Sequence, residues 1–266
     1  TLDLVKTGWE RNLKDSKGFD DKIIVPFAPE SKLSGVEHKE FIPCIWYQRE
    51  ISIPAAWEGK DVLLNFGAVY YESEVYVDGK FVERHFGGSD SFSVDITKFV
   101  KAGSTHSLVV VASSDLRSGL QSAGKQSLRN DPFECMYTRT TGIWQTVWME
   151  AVAPTGIKRV KTTTDIDRST VTMEFTMFRN ATGNTLTINV KDGAKVVATD
   201  TAPIASGSIV TLPIKKAKLW SPESPFLYDV EYILKDAAGN VIDEVASYFG
   251  MRKIHTEGNK IYLNNQ

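Results

Sequence analysis

The chain has 266 residues, a length that suggests about two domains, each able to bury a core of its own. Its 31 basic and 33 acidic residues nearly balance and are dispersed, which argues against a nucleic-acid partner and against a charged disordered tail. No apolar run of roughly eighteen residues exists to cross a membrane, and Thr1-Leu2-Asp3-Leu4 has neither the basic start nor the apolar core of a signal peptide.

In chain order, the first 45 residues mix apolar and charged positions, with Pro26, Pro29 and Pro43 as breakers. They read as irregular wrapping with one edge strand at residues 22–25. Residues 45–53 form a strand with Tyr47, Ile51 and Ile53 on one face, and in 61–66 Val62, Leu64 and Phe66 recur at period two. Residues 74–77 and 80–84 flank Asp78-Gly79, a pair that accepts the positive φ of a tight hairpin turn. Strands at 91–96 and 107–112 follow. A polar stretch of about 29 residues, 113–141, then shows no periodicity; loops of this length inside a domain are functional or disordered. Residues 143–152 close the domain with a final strand, which puts Trp144 and Trp148 on one face.

Pro154-Thr155-Gly156 reads as a boundary. Beyond it, Val171, Met173, Phe175 and Met177 alternate with polar residues, and Leu186, Ile188 and Val190 do the same. Asp192-Gly193 makes a second hairpin turn. Further strands at 195–199, 208–214, 227–235 and 241–249 bring the count to about seven, the arithmetic of an immunoglobulin-like sandwich without its cysteine pair. Trp220 is expected to plug this second sandwich. The fold class is all-β: two antiparallel sandwiches in series.

Chemistry is sparse. His38, His85, His106 and His255 are too far apart for metal-ligand spacing, and no nucleophile elbow or phosphate loop occurs, so no cofactor or metal is expected. His85-Phe86-Gly87-Gly88 reads as an ordinary loop, since no nucleophile accompanies it. Cys44 and Cys135 are too few for a disulfide scaffold and are expected to be free thiols. No carboxylate pair stands out as the acid and partner that a glycosidase needs.

Three segments carry information as an ordered set: Val25-Pro26-Phe27-Ala28-Pro29-Glu30 leading to Trp46-Tyr47-Gln48-Arg49-Glu50; residues 137–150 with Arg139-Thr140-Thr141-Gly142-Ile143-Trp144; and Leu219-Trp220-Ser221-Pro222. With Val77-Asp78-Gly79-Lys80, Asp95-Ile96-Thr97 and Phe249-Gly250-Met251-Arg252, they resemble the sugar-binding and immunoglobulin-like domains of family 2 glycoside hydrolases, the β-galactosidase, β-glucuronidase and β-mannosidase group. Met251, Asp78 and Asn265 depart from the family's usual Phe, Asn and Gly.

The resemblance implies a jelly-roll-like (galactose-binding-like) sugar-binding domain over residues 1–153 and an immunoglobulin-like sandwich over 154–250. Residues 251–266 would be a linker stub towards a catalytic barrel that is expected to lie beyond Gln266 with the catalytic glutamates. The chain would then be the non-catalytic front of a retaining β-glycosidase, inactive alone, with its own barrel and a β-linked glycan as partners. A stand-alone carbohydrate-binding module or adhesin is the alternative, and a purely structural pair of sandwiches a third. Within residues 113–141, Lys125, Gln126, Tyr137 and Arg139 are candidate sugar contacts at the pocket rim, with bonding inside the loop as the alternative. Residues 118–130 are expected to gain order from the barrel. Location is left open, with periplasmic or secreted ahead of cytoplasmic, and no oligomeric state is read.

Overall fold

Apolar residues at alternate positions build sheets with one buried face, and both halves of the chain do this. A computed structural model describes residues 1–266 and divides them into two units, Thr1–Val152 and Ala153–Gln266.

In the first unit, β1 (Cys44–Ser52), β7 (Thr105–Ser113), β4 (Glu72–Val77) and β5 (Lys80–Phe86) form one antiparallel sheet in that spatial order. The facing sheet is β6 (Phe92–Asp95), β2 (Asp61–Phe66) and β9 (Val147–Val152). Ile45, Tyr47 and Ile51 of β1 meet Val62, Leu64 and Phe66 of β2 in the core between them. The other face of β1 is also apolar. Cys44 and Trp46 join Tyr76, Val109 and Val111, and the N-terminal segment covers them with Leu13 and Phe19. The Trp46 indole donates to Asp3 at 3.1 Å, and Trp9 meets its ring edge-on at 5.1 Å.

The edge strand expected at 22–25 does not form. Those residues are irregular; the Ile24 N–H donates to the Ser34 carbonyl, and Pro26 has no N–H to offer a ladder. Asp78 and Gly79 do make the tight turn, with φ of 48° and 72°. The closing strand expected at 143–152 is split. β8 (Gly142–Ile143) pairs with β3 (Val69–Tyr70), whereas β9 pairs with β2. Residues 144–146 leave the ladder, so Trp144 and Trp148 do not share a face. The Trp144 indole donates to the Gly88 carbonyl at 2.8 Å, and Trp148 is 45% exposed.

The sandwich of the second unit has seven strands in two sheets: β10 (Ile157–Asp165), β11 (Thr170–Met177) and β14 (Ile209–Pro213), against β13 (Lys195–Pro203), β12 (Thr185–Asp192), β15 (Tyr228–Lys235) and β16 (Val241–Phe249). The alternation in β11 and β12 sends Met173, Phe175, Leu186 and Ile188 into one core with Tyr232 and Leu234. Each such side chain contributes about 1.5–3 kcal/mol by leaving water.

Trp220 is not in that core. It is partly exposed at the unit's end, where Arg252 lies 5.0 Å from its ring and its carbonyl accepts from Asn264. Within residues 251–266, 254–263 form a hairpin of β17 (Ile254–Glu257) and β18 (Lys260–Leu263). Four three-residue 3-10 turns are the only helical elements, and no helix is long and apolar enough to cross a membrane.

Candidate functional site

The segment between β7 and β8 carries no long strand, so its backbone groups must find other partners. They do so locally. Ser127 N–H donates to the Tyr137 carbonyl and Tyr137 N–H to the Lys125 carbonyl, both at 2.8 Å. Gln121 donates to the Tyr70 hydroxyl at 3.0 Å and to Ser114 Oγ at 3.1 Å, while Tyr70 donates to the Ser122 carbonyl at 2.7 Å. Residues 118–130, expected to await order from elsewhere, are thus hydrogen-bonded among themselves and to β3.

Arg139 is the hub. It is 4% exposed, and its two Nη atoms donate to the carbonyls of Ser127, Arg129, Asn130 and Lys39. Its guanidinium lies 4.2 Å from the Phe41 ring centre. A buried cation needs compensation. Here it comes from these carbonyls and from the field of Glu30, while burial pulls the guanidinium's proton affinity down. Glu30, also buried, accepts from the Thr141 N–H at 3.2 Å and from the Thr141 hydroxyl. Burial raises the Glu30 pKa above the usual carboxylate value, against the opposing pull of Thr141 and Arg139. Gly142 follows at φ 70°, and a Cβ there would stand 2.2 Å from the Tyr47 hydroxyl, which accepts from the Ile143 N–H.

Beside this hub lies a cavity of about 310 Å³, with Lys6, Phe41, Tyr70, Arg117, Gln126 and Arg139 in its wall. Gln126 is held by its own loop: its Oε1 accepts from Thr140 N–H at 2.9 Å and its Nε2 donates to the Ala123 carbonyl at 3.2 Å. Of the four residues named from sequence, Arg139 and Gln126 therefore line one cavity, whereas Tyr137, 63% exposed, and Lys125, also exposed, stand outside it. Sequence reasoning did not single out Lys6, Phe41 or Arg117. Glu30 was named only within its Pro-rich run, with no signal in spacing that joins it to Thr141, 111 positions away.

Asp115 is the one carboxylate in the cavity wall. A retaining glycosidase needs two carboxyl groups about 5 Å apart. No cluster of three His, Cys, Asp or Glu side chains is placed to hold a metal. The stretch His85-Phe86-Gly87-Gly88, expected to be a loop, is loop only from Gly87: His85 and Phe86 end β5, where they pair with Ser73 and Glu72, and His85 stacks on Phe92 at 3.9 Å. Both cysteines are free thiols; Cys44 is buried, which pushes its pKa up to about 12, and Cys135 is exposed.

Two family models cover this chain. Glycosyl hydrolases family 2, sugar binding domain, matches residues 10–152, and Glycosyl hydrolases family 2 matches residues 155–252. The chain belongs to glycosyl hydrolase family 2. This family 2 chain is 26% identical over 231 residues to a β-galactosidase of Thermoanaerobacter pseudethanolicus, covering 83% of itself and 30% of that protein. It is 30% identical over 217 residues to a putative β-glucuronidase of Formosa agariphila, covering 79% of itself and 19% of the relative. Its whole length superposes on the β-glucuronidase of Ruminococcus gnavus with a TM-score of 0.80 at 21% identity, over 46% of that chain. The Lactobacillus rhamnosus β-glucuronidase gives 0.80 at 22% identity, over 45%. The chain thus spans less than half the length of each of these proteins, and the two structural likenesses establish the fold.

Proposed function

We propose that the two units serve a retaining β-glycosidase as its non-catalytic front: they support a barrel that carries the catalytic carboxylates and lend residues of the 113–141 segment to the rim of a pocket for a β-linked glycan. The observation that carries this reading is the family match across 10–152 and 155–252, joined to a cavity whose wall holds a single carboxylate. Within the rim, Tyr137 and Lys125 face solvent and are the contacts to sugar; Arg139 and Gln126 hold the segment that presents them. The names of the relatives, β-galactosidase and β-glucuronidase, support a β-linked glycoside as substrate class.

The test is incubation of the purified chain with nitrophenyl β-galactoside, β-glucuronide and β-mannoside. No turnover is expected. Turnover that co-purifies with the chain and disappears when one of its own carboxylates is replaced overturns the non-catalytic reading.

A further inference from the structure

Both nitrogens of the His106 ring have partners, and together these fix where its proton sits. Nδ1 lies 2.7 Å from Asp78 Oδ2, and the Lys101 N–H donates to Nε2 at 3.0 Å. The Asp78 carboxyl is held below its ordinary value, above all by this contact with His106, and it is ionised wherever imidazole titrates. An ionised carboxylate only accepts, so Nδ1 carries the ring's proton and Nε2 offers its lone pair to Lys101. The ring is mostly buried, with 12% of its side chain exposed, and it ties two turns together. One is the tight turn after β4, where the Asp78 N–H donates to the Ser107 carbonyl at 2.9 Å and Asp78 Oδ1 accepts from the Ser107 N–H at 2.8 Å. The other is residues 101–104, which lead into β7 and extend the sheet past β1: the Gly103 N–H donates to the Ile53 carbonyl at 2.8 Å and the Ile53 N–H to the Ser104 carbonyl at 2.9 Å.

Asp78 is the charged group that touches the ring. Lys80, from the same hairpin, acts on Asp78 through its field, and the Lys101 side chain is exposed. From the 3-10 turn Leu13–Asp15, Lys14 donates to the Gly79 carbonyl and pairs with Asp15. On β1 the residue opposite His106 is Ile51, while Arg49 and Glu50 are exposed opposite Leu108 and Ser107. A second proton can enter the ring only at Nε2. There it meets the Lys101 N–H, donor against donor, and that hydrogen bond must break. The Asp78 contact, in contrast, becomes a charge-assisted ion pair. Protonation therefore has one loser: the 101–104 turn gives way and the hairpin holds.

We propose that His106 is an acid-sensitive clamp of the first unit: neutral, it ties the 101–104 turn to the hairpin of β4 and β5; protonated, it keeps the hairpin and releases the turn. Imidazole is the side chain that changes charge between about pH 5 and 8, so mild acid is the signal. The part released is the end of the sandwich next to Phe99 and Val100, which pack against the core. The clamp is complete within the first unit and does not depend on the glycosidase reading, which is tested by turnover.

The experiment follows the ¹⁵N-labelled chain from pH 8 to pH 5. Long-range imidazole spectra should show His106 in the Nδ1–H form at pH 8. As the ring takes its second proton, exchange of the Lys101 amide, corrected for the intrinsic effect of pH, should speed up by about fivefold, the scale of one net hydrogen bond. The Asp78 and Ser107 amides should keep their protection. His106→Gln has no proton to gain in this range and should abolish the step. Asp78→Asn removes the charge that attracts the proton and should move the step to lower pH. Unchanged resonances in β2, β6 and β9 verify the fold of both variants, and the wild-type titration decides by itself if either is unstable. An Nε2–H ring at pH 8, a ring that stays neutral down to pH 5, a Lys101 amide indifferent to the ring's titration, a step that persists in His106→Gln, or one that Asp78→Asn leaves in place would each overturn the clamp.

Discussion

The two units bury very different chemistry. The first buries ten polar or charged side chains, among them Asp3, Glu30, Glu74 and Arg139, whereas the second buries one, Asn184. The difference follows from what each must hold. More than half of the second unit is strand, a larger share than in the first, and strand ladders satisfy their own backbone groups. The first unit must also fix about 45 residues of N-terminal wrapping and the 113–141 segment, which have no ladders. It does so with side chains that reach backbone: Arg139 to four carbonyls, Asp3 to the N–H groups of Thr7 and Gly8, Glu30 to that of Thr141. Buried polar groups here are the substitute for secondary structure, and two of them, Arg139 and Thr141, line the cavity.

The sharpest way to break this contrast is to delete the hub. Arg139→Met removes the donors from four carbonyls and the positive charge whose field reaches Glu30, a loss on the order of 3 kcal/mol at about 1–3 kcal/mol for each acceptor left unsatisfied. Hydrogen exchange resolved along the chain should show lost protection in residues 113–141 and 28–43, with β10–β16 unchanged. The matching cut in the second unit is purely apolar: Phe175→Ala should cost about 3–5 kcal/mol through transfer and cavity terms, with its effect confined to β10–β16. Loss of protection shared by both units in either variant would show that the contrast does not divide them energetically.

A smaller effect is expected at Gly142. Alanine there must hold φ near 70° and place a methyl against the Tyr47 hydroxyl, for a combined cost of about 2–4 kcal/mol. Gly142→Ala with Tyr47→Phe should recover part of that loss in chemical denaturation, because the clashing oxygen is gone. If the double variant is no better than the single, the backbone conformation rather than the contact sets the cost.

The same contrast explains what could be read in advance. The second unit's strands were legible because alternation in β11, β12 and β15 is a local signal with one cause, a half-buried sheet. Asp78-Gly79 was legible for a similar reason: two residues and one turn type. Trp144, Trp148 and Trp220 were misplaced because an aromatic near a strand looks the same whether it enters a core or caps an end; the break at 144–146 leaves no mark in period. The edge strand at 22–25 looked plausible from composition, yet Pro26 and the Ile24–Ser34 hydrogen bond turn that stretch into wrapping. The cavity had no local signature at all. Lys6, Phe41, Arg117 and Gln126 come from four separate stretches, brought together by contacts such as that of Arg139 with Lys39, 100 positions apart.

The smallest effect is a pH response from the first unit's buried carboxylates, to which Glu30 and Glu74 contribute with opposite signs. Burial alone would raise the Glu74 pKa, but the hydrogen bonds from Tyr76, Arg84 and Trp9 outweigh it and hold the carboxyl below its ordinary value. The folded state therefore favours the carboxylate. This contribution is complete above the unfolded value near 4.5 and fades as pH falls through the depressed folded pKa. For Glu30 the folded pKa is raised by burial, so the folded state binds the proton more tightly, and stability declines as pH rises from the unfolded value through the raised one. Glu74→Gln should flatten the loss of stability between pH 5 and 3. Glu30→Gln should flatten the decline that begins near pH 4.5 and proceeds upward, since an amide keeps an oxygen for Thr141 without a charge to desolvate. Urea denaturation at closely spaced pH values reads both. If the two variants shift the profile in the same direction, the opposite environments assigned to these carboxylates are wrong; opposite shifts trace the response to hydrogen bonds from Tyr76, Arg84 and Trp9 at Glu74 and to burial at Glu30.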